Sequence, residues 1–155
     1  GIQGNQINIK NWRSNIVFNK SFDDINYIKY TDFLNQKNSY ILEKNTFKLI
    51  NSKNLVVPIN QNNILRLLNS FEDLNCEAFK EDKDKINSLV NLEELVVNKD
   101  TLRTYRIREK DLETKEKNFT VDRKYATLNN GELMLIQDFV FNKVLISINE
   151  LREKN

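Results

Sequence analysis

Chemistry in this chain has to run on carboxylates, lysines and arginines, because its 155 residues include no histidine and a single cysteine, Cys76. A Ser-His-Asp triad, a Cys-His pair, a histidine general base and a zinc site of usual composition are thereby excluded. No G-x-x-x-x-G-K-[ST] phosphate loop occurs. What remains for catalysis is a carboxylate-only hydrolase or magnesium site, arranged as Asp100 upstream of Glu113-Thr114-Lys115. Such a site needs two carboxylates on one metal and a lysine near the attacking water. Its Glu-x-Lys element belongs on a strand flanked by apolar residues. Here it lies within Lys110-Asp111-Leu112-Glu113-Thr114-Lys115-Glu116-Lys117, a run of mixed sign that reads as a solvated loop. The chain is therefore expected to be non-enzymatic, with no catalytic residue, no cofactor and no bound metal.

Binding chemistry has two sources. Arg103, Tyr105, Arg106, Arg108 and Lys110 lie on one extended segment that Arg123 and Lys124 could join. An aromatic ring beside guanidinium groups suits stacking on single-stranded nucleic acid. Interspersed acids hold the charge of that segment down, however, and a phosphate groove shows a stronger basic excess. The competing expectation is a protein-interaction module, possessing a protein partner and the aromatic and arginine types that interfaces favour: Trp12, Arg13, Tyr27, Tyr30 and Phe33. A formal net charge of +2 favours this second expectation, which makes nucleic-acid binding the alternative.

The elements that must position these groups follow from periodicity. Asn15–Phe18, Tyr27–Tyr30, Tyr40–Glu43, Thr46–Ile50 and Leu55–Ile59 are short segments rich in β-branched and aromatic residues, separated by Asn, Asp and Lys, and read as strands. Pro58 marks an edge or a strand end. Ile64, Leu67, Leu68, Phe71 and Leu74 recur at helical spacing and predict a helix capped by Asn60 or Asn62. A second helix is predicted from about Glu77 to Asn91, with Phe79, Ile86, Leu89 and Val90 inward. Leu95–Val97, Leu102–Arg108 and Phe119–Val121 read as extended, and Asn129-Asn130-Gly131 as a turn. The last segment is ambiguous, and is read as helix from Glu132 to about Asn142 and then strand. Together these give a single α+β domain over residues 1–155, its short, mostly antiparallel strands packed against two central helices. The expected core is Ile64, Leu67, Leu68, Phe71, Leu74, Ile86, Leu89, Val90, Leu95, Val97, Val140, Val144 and Ile146.

Composition adds a bias and a compartment. The chain holds 25 Asn, 17 Lys and 15 Ile against 2 Ala, 3 Gly and 1 Pro, the signature of an AT-rich genome such as a low-GC bacterium, phage, virus or parasite. Asparagine is accordingly expected to reflect codon drift onto solvated positions. An acidic middle stretch sits between mildly basic flanks, without a Gly/Ser or Pro-rich linker. One cysteine favours the cytoplasm, while the start Gly1-Ile2-Gln3-Gly4-Asn5 reads as a cleavage scar, a trimmed precursor or an excised part of a larger protein, and leaves secretion after signal removal open. No stretch approaches the ~20 apolar residues of a membrane helix.

Two local resemblances remain. Leu89-x-x-Leu92-x-x-Leu95-x-Val97-x-x-Asp100-x-Leu102 resembles one leucine-rich repeat, but a solenoid needs three stacked units and none follows Leu102. Leu128-Asn129-Asn130-Gly131-Glu132, Val144-Leu145-Ile146-Ser147-Ile148-Asn149-Glu150 and Ile7-Asn8-Ile9-Lys10-Asn11-Trp12-Arg13-Ser14 resemble the signature loop, the Walker B strand and the opening strand of recombination-type ABC ATPases. That resemblance implies a degenerate ATPase-like domain that does not hydrolyse ATP, since the phosphate loop is missing and Asn149 stands where the magnesium-holding Asp belongs.

Overall fold

Alternating burial organises this molecule, whose computed structural model describes residues 14–81, 83–108 and 122–154. The strands in chain order are β1 (Ile16–Phe18), β2 (Tyr27–Asp32), β3 (Tyr40–Glu43), β4 (Lys48–Asn51), β5 (Val56–Val57), β6 (Leu74–Asn75), β7 (Ala78–Phe79), β8 (Asn91–Val97), β9 (Asp100–Tyr105), β10 (Arg123–Leu128) and β11 (Met134–Gln137). Helix α1 spans Gln61–Leu68 and the single turn α2 spans Asp138–Phe141. Nine strands form one sheet in the order β5-β4-β3-β2-β8-β9-β10-β11-β7, and β1 pairs with β6 in a two-stranded ribbon.

Every pairing in the large sheet is antiparallel. The sheet is thus two four-stranded meanders, β2 to β5 and β8 to β11, joined side by side through β2 and β8, with β7 added beyond β11. Both edge strands, β5 and β7, are two residues long. Short edges offer little template for pairing with another chain.

Period two decides which side chains enter the core. On β8 the buried positions are Glu93, Leu95 and Val97, and the register carries that phase to Tyr30 and Ile28 on β2, to Leu102 and Thr104 on β9, and to Tyr40 and Leu42 on β3. Ile64, Leu67 and Leu68 of α1, Phe18 of the ribbon, and Phe71, Phe141, Val144, Ile148 and Leu151 from the connections complete the same buried cluster. Phe18 and Phe71 meet edge to face with ring centroids 5.6 Å apart.

The expected packing of strands against two central helices is corrected. Among the described residues the chain is mostly β, with one helix of eight residues, short 3-10 turns and the single turn α2. Asn60 caps α1 as anticipated, its Oδ1 accepting from the Asn63 backbone N–H. The helix ends at Leu68, before Phe71 and Leu74, because the chain turns through Asp73 at φ 53° and Leu74 then pairs with Phe18. Both residues are buried nonetheless.

The helix predicted over 77–91 is not formed. Ala78–Phe79 is strand β7, held by Glu77 N–H to Leu135 O and Lys80 N–H to Leu133 O, and a 3-10 turn follows over Lys83–Ser88. The backbone there gains its bonds from the open edge of β11, and Val90 points outward. The helix predicted from Glu132 is also replaced: Leu133, Met134, Leu135 and Ile136 are all buried, a run covered on both sides, and Met134–Gln137 is a strand. Residues 144–147 form no strand and Ile148–Glu150 is a 3-10 turn, so the Walker B-like segment lacks its strand. Residues 89–102 form the β8–β9 hairpin rather than a repeat unit. The Phe119–Val121 strand and the Ile7–Arg13 stretch lie outside the described residues.

Asparagine does more than occupy solvated surface. Six described residues other than glycine have positive φ, and four of them are Asn54, Asn98, Asn129 and Asn130. Asn tolerates the left-handed region better than other residues with a Cβ, and this glycine-poor chain uses it there. Asn129 and Asn130 form the tight β10–β11 turn, closed by Gly131 N–H to Leu128 O at 2.9 Å. Asn98 at the β8–β9 turn accepts from the Asn26 and Tyr27 backbone N–H groups and donates to Asp24 O.

Candidate functional site

Antiparallel pairing brings the C-terminal ends of β2, β9 and β11 and the N-terminal ends of β8 and β10 to one end of the sheet. Most of the residues with unusual environments are there. Just beneath that end four strands meet in a polar cluster: Glu93 of β8, only 7% exposed, accepts from the Tyr30 hydroxyl at 2.7 Å, the Thr104 hydroxyl at 3.0 Å and the Lys124 ammonium at 3.0 Å. Lys124 Nζ also lies 3.7 Å from Asp138 Oδ1, an ion pair too long to be a hydrogen bond.

Three donors satisfy the hydrogen-bonding needs of this buried carboxylate. Its neighbours respond. Burial first, and then the Glu93 charge and hydrogen bond, drive the Tyr30 phenol far above the ordinary tyrosine value. The same burial and the same charge raise Tyr40, whose hydroxyl has no hydrogen-bond partner among the described residues. Burial raises the Asp138 carboxyl, Lys124 opposes that shift, and Asp122 and Glu93 add to it.

Neither of the two clefts near this end has Glu93, Thr104, Lys124 or Asp138 in its lining. The hydrogen bonds to Glu93 clamp β2, β8, β9 and β10 together, while the buried Asp138 Oδ1 has no hydrogen-bond partner among the described residues. No group of three or more metal-ligating side chains occurs among the described residues.

Four large apolar side chains at this end of the sheet are exposed. Phe33 (42% exposed) and Leu34 (61%) follow β2, Val90 (46%) precedes β8, and Phe139 (74%) follows β11. Their backbone is fixed: Phe33 N–H donates to Leu92 O, Leu34 and Asn35 N–H groups donate to Asp32 Oδ1, and Asp138 N–H donates to Asp122 O. Val90 O accepts from Arg106 N–H, and Phe139 lies in α2, so all four sit on hydrogen-bonded backbone.

The basic residues anticipated for nucleic acid are mostly engaged with acids. Arg103 pairs with Glu94 at 3.0 Å and with the Asn130 amide, Arg123 forks onto both oxygens of Glu77 at 2.7 and 3.1 Å, and Lys124 belongs to the Glu93 clamp. β9 ends at Tyr105, which is buried, so the extended segment stops short of Arg108. Arg106 is exposed and Arg108 bonds Ser88 Oγ at 3.4 Å. Lys110 lies outside the described residues, as do Glu113, Thr114 and Lys115 of the carboxylate arrangement, while Asp100 pairs with Lys20 at 2.9 Å.

Among the interface candidates, Phe33 is exposed, Tyr27 is half-buried, Tyr30 is buried in the clamp, and Trp12 and Arg13 lie outside the described residues. Sequence reasoning missed Glu93, Lys124 and Asp138 as a unit, although a signal existed: Glu93 is in phase with Leu95 and Val97, and Lys124 with Ala126 and Leu128. Opposite charges on the apolar phases of two strands announce an ion pair once both strands flank β9 in one sheet.

No family model, curated protein or solved structure matches this chain. No helix among the described residues is long and apolar enough to cross a membrane.

Proposed function

We propose that this chain is a non-enzymatic protein-interaction module whose partner docks on the sheet end bearing Phe33, Leu34, Val90 and Phe139. The observation that carries the reading is their joint exposure on ordered backbone at one end of the sheet. Large apolar groups collected on one surface mark interaction sites, and phenylalanine is among the residue types enriched in interfaces. The Glu93 clamp supports the non-catalytic part, because its carboxylate already has three protein donors and lines neither cleft.

Affinity capture from the native host with the wild-type chain, set beside the Phe33→Ser/Phe139→Ser variant, tests the reading. One partner retained by the wild type should be lost from the variant, with a cost of at least about 2 kcal/mol in binding, as anchor residues show. Unchanged capture by a folded variant would place the partner elsewhere.

A further inference from the structure

A second surface lies on the flank of the same sheet end and has the opposite character. A cleft of about 370 Å³ opens between the loop after β2, the turn after β4 and the C-terminal 3-10 turn. Three of its lining side chains are cations, Lys37, Lys53 and Arg152, and none is a carboxylate. These three cations have no ion pair with a described residue, in contrast to Arg103, Arg123 and Lys124.

The cleft's neutral residues add to this bias. Asn35 Oδ1 accepts from the Lys37 N–H, and Asn51 Oδ1 accepts from the Lys53 and Leu55 N–H groups, which commits the acceptor end of each amide to the backbone and leaves the Nδ2 donors. The walls are tied together: Ser147 Oγ donates to Asn38 Oδ1 and accepts from Asn149 N–H, and Asn38 Nδ2 donates to Asp32. Cations and amide donors held in fixed loops, with no carboxylate in the lining, select an anion with several acceptor oxygens.

An open trough of about 320 Å³ adjoins this cleft and shares Asn51 and Ser52 with it. Its floor is on the sheet face opposite the core, where Lys29, Ile41 and Ile50 stand side by side in register and both isoleucines are half-buried. Thr31, Gln36 and Asn54 add polar groups around that apolar floor. Two isoleucines beside Lys29, with hydroxyl and amide edges, accommodate a flat heterocycle, and each volume is in the range of ordinary ligand sites.

We propose that this double cleft binds a nucleoside phosphate, the phosphate among Lys37, Lys53 and Arg152 and the base over Ile41 and Ile50. The group comes either from a free nucleotide or from the end of a nucleic-acid strand. None of its lining residues falls within Arg103–Arg108 or is Phe33, Leu34, Val90 or Phe139.

Calorimetric titrations of the full chain with inorganic phosphate, adenosine, adenosine 5′-monophosphate and a short single-stranded oligonucleotide test it. The monophosphate should bind about tenfold more tightly than phosphate or adenosine alone, because it engages both halves of the cleft. Lys53→Ala/Arg152→Ala should weaken the monophosphate by about tenfold or more, whereas Lys143→Ala, an exposed cation outside both linings, should change it by less than about twofold. Tighter binding of the oligonucleotide than of the monophosphate would assign the phosphate to a strand, and equal or weaker binding to a free nucleotide. Absence of saturable monophosphate binding at millimolar concentration overturns the proposal, and so does an equal loss in the Lys143→Ala control. Methyl signals of Ile41 and Ile50 should shift with the monophosphate and not with phosphate; shifts confined to the cation cleft would remove the base from the trough and defeat the nucleoside assignment.

Discussion

Tyr30 and Tyr40 stand opposite each other on paired strands, their ring centroids 5.5 Å apart, yet only the Tyr30 hydroxyl reaches Glu93, at 2.7 Å. The Tyr40 hydroxyl is equally hidden and has no partner among the described residues. Removing the two hydroxyls should therefore have opposite effects. Tyr30→Phe takes a donor from a buried carboxylate and should cost about 1.5–3 kcal/mol, whereas Tyr40→Phe should be neutral or mildly stabilising. Urea unfolding of the two variants checks this, and equal losses would contradict the assignment of Tyr30 as the donor.

The same pair links stability to alkaline pH. Both phenols have folded-state pKa values raised above the unfolded value, so the native state keeps protons that the unfolded chain releases. Stability should be intact below the unfolded tyrosine pKa of about 10 and fall as pH rises above it. Phenolate absorbance from these two residues should appear only with loss of the fold, and Tyr40→Phe should reduce the slope of stability against pH.

Asp138 gives the acid-side counterpart. Its carboxyl is also raised, so stability should fall as pH rises from the unfolded carboxylate value through the folded one, and then level off. Asp138→Asn should abolish that slope and be more stable than the wild type above it. Chemical denaturation across the acid range measures both.

Asn98 combines a left-handed φ of 55° with three hydrogen bonds to the chain around Asp24–Tyr27. Asn98→Gly relieves the backbone but loses the bonds, and Asn98→Ala suffers both penalties. Alanine should be the worse of the two by about 1–2 kcal/mol, the cost of the left-handed conformation for a residue with a Cβ. Thermal unfolding of the pair provides the comparison.

Val90 and Leu67 separate pattern from position. Both fit an inward helical phase in the sequence, but Leu67 is buried and Val90 is 46% exposed. Leu67→Ala should cost about 2–5 kcal/mol and Val90→Ala should stay within about 0.5 kcal/mol. Comparable losses would return Val90 to the core.

By itself the sequence determined the local β segments at Tyr40–Glu43 and around Tyr27 and Lys48, the Asn60 cap and the apolar stripe of α1, since each is written in contiguous residues whose period the backbone imposes. It also determined the exclusion of histidine chemistry. Only the tertiary structure decided the fate of 77–91 and 132–137, because helical spacing there competed with a strand edge that exists only once β11 is in the sheet. It alone decided that Glu93 and Lys124, 31 residues apart, neutralise each other, and that Arg103 and Arg123 are paired while Lys37, Lys53 and Arg152 converge on one cleft. Electrostatic partnership depends on distance through space, and an antiparallel sheet of this order sets those distances by strand register, which no short window of residues contains.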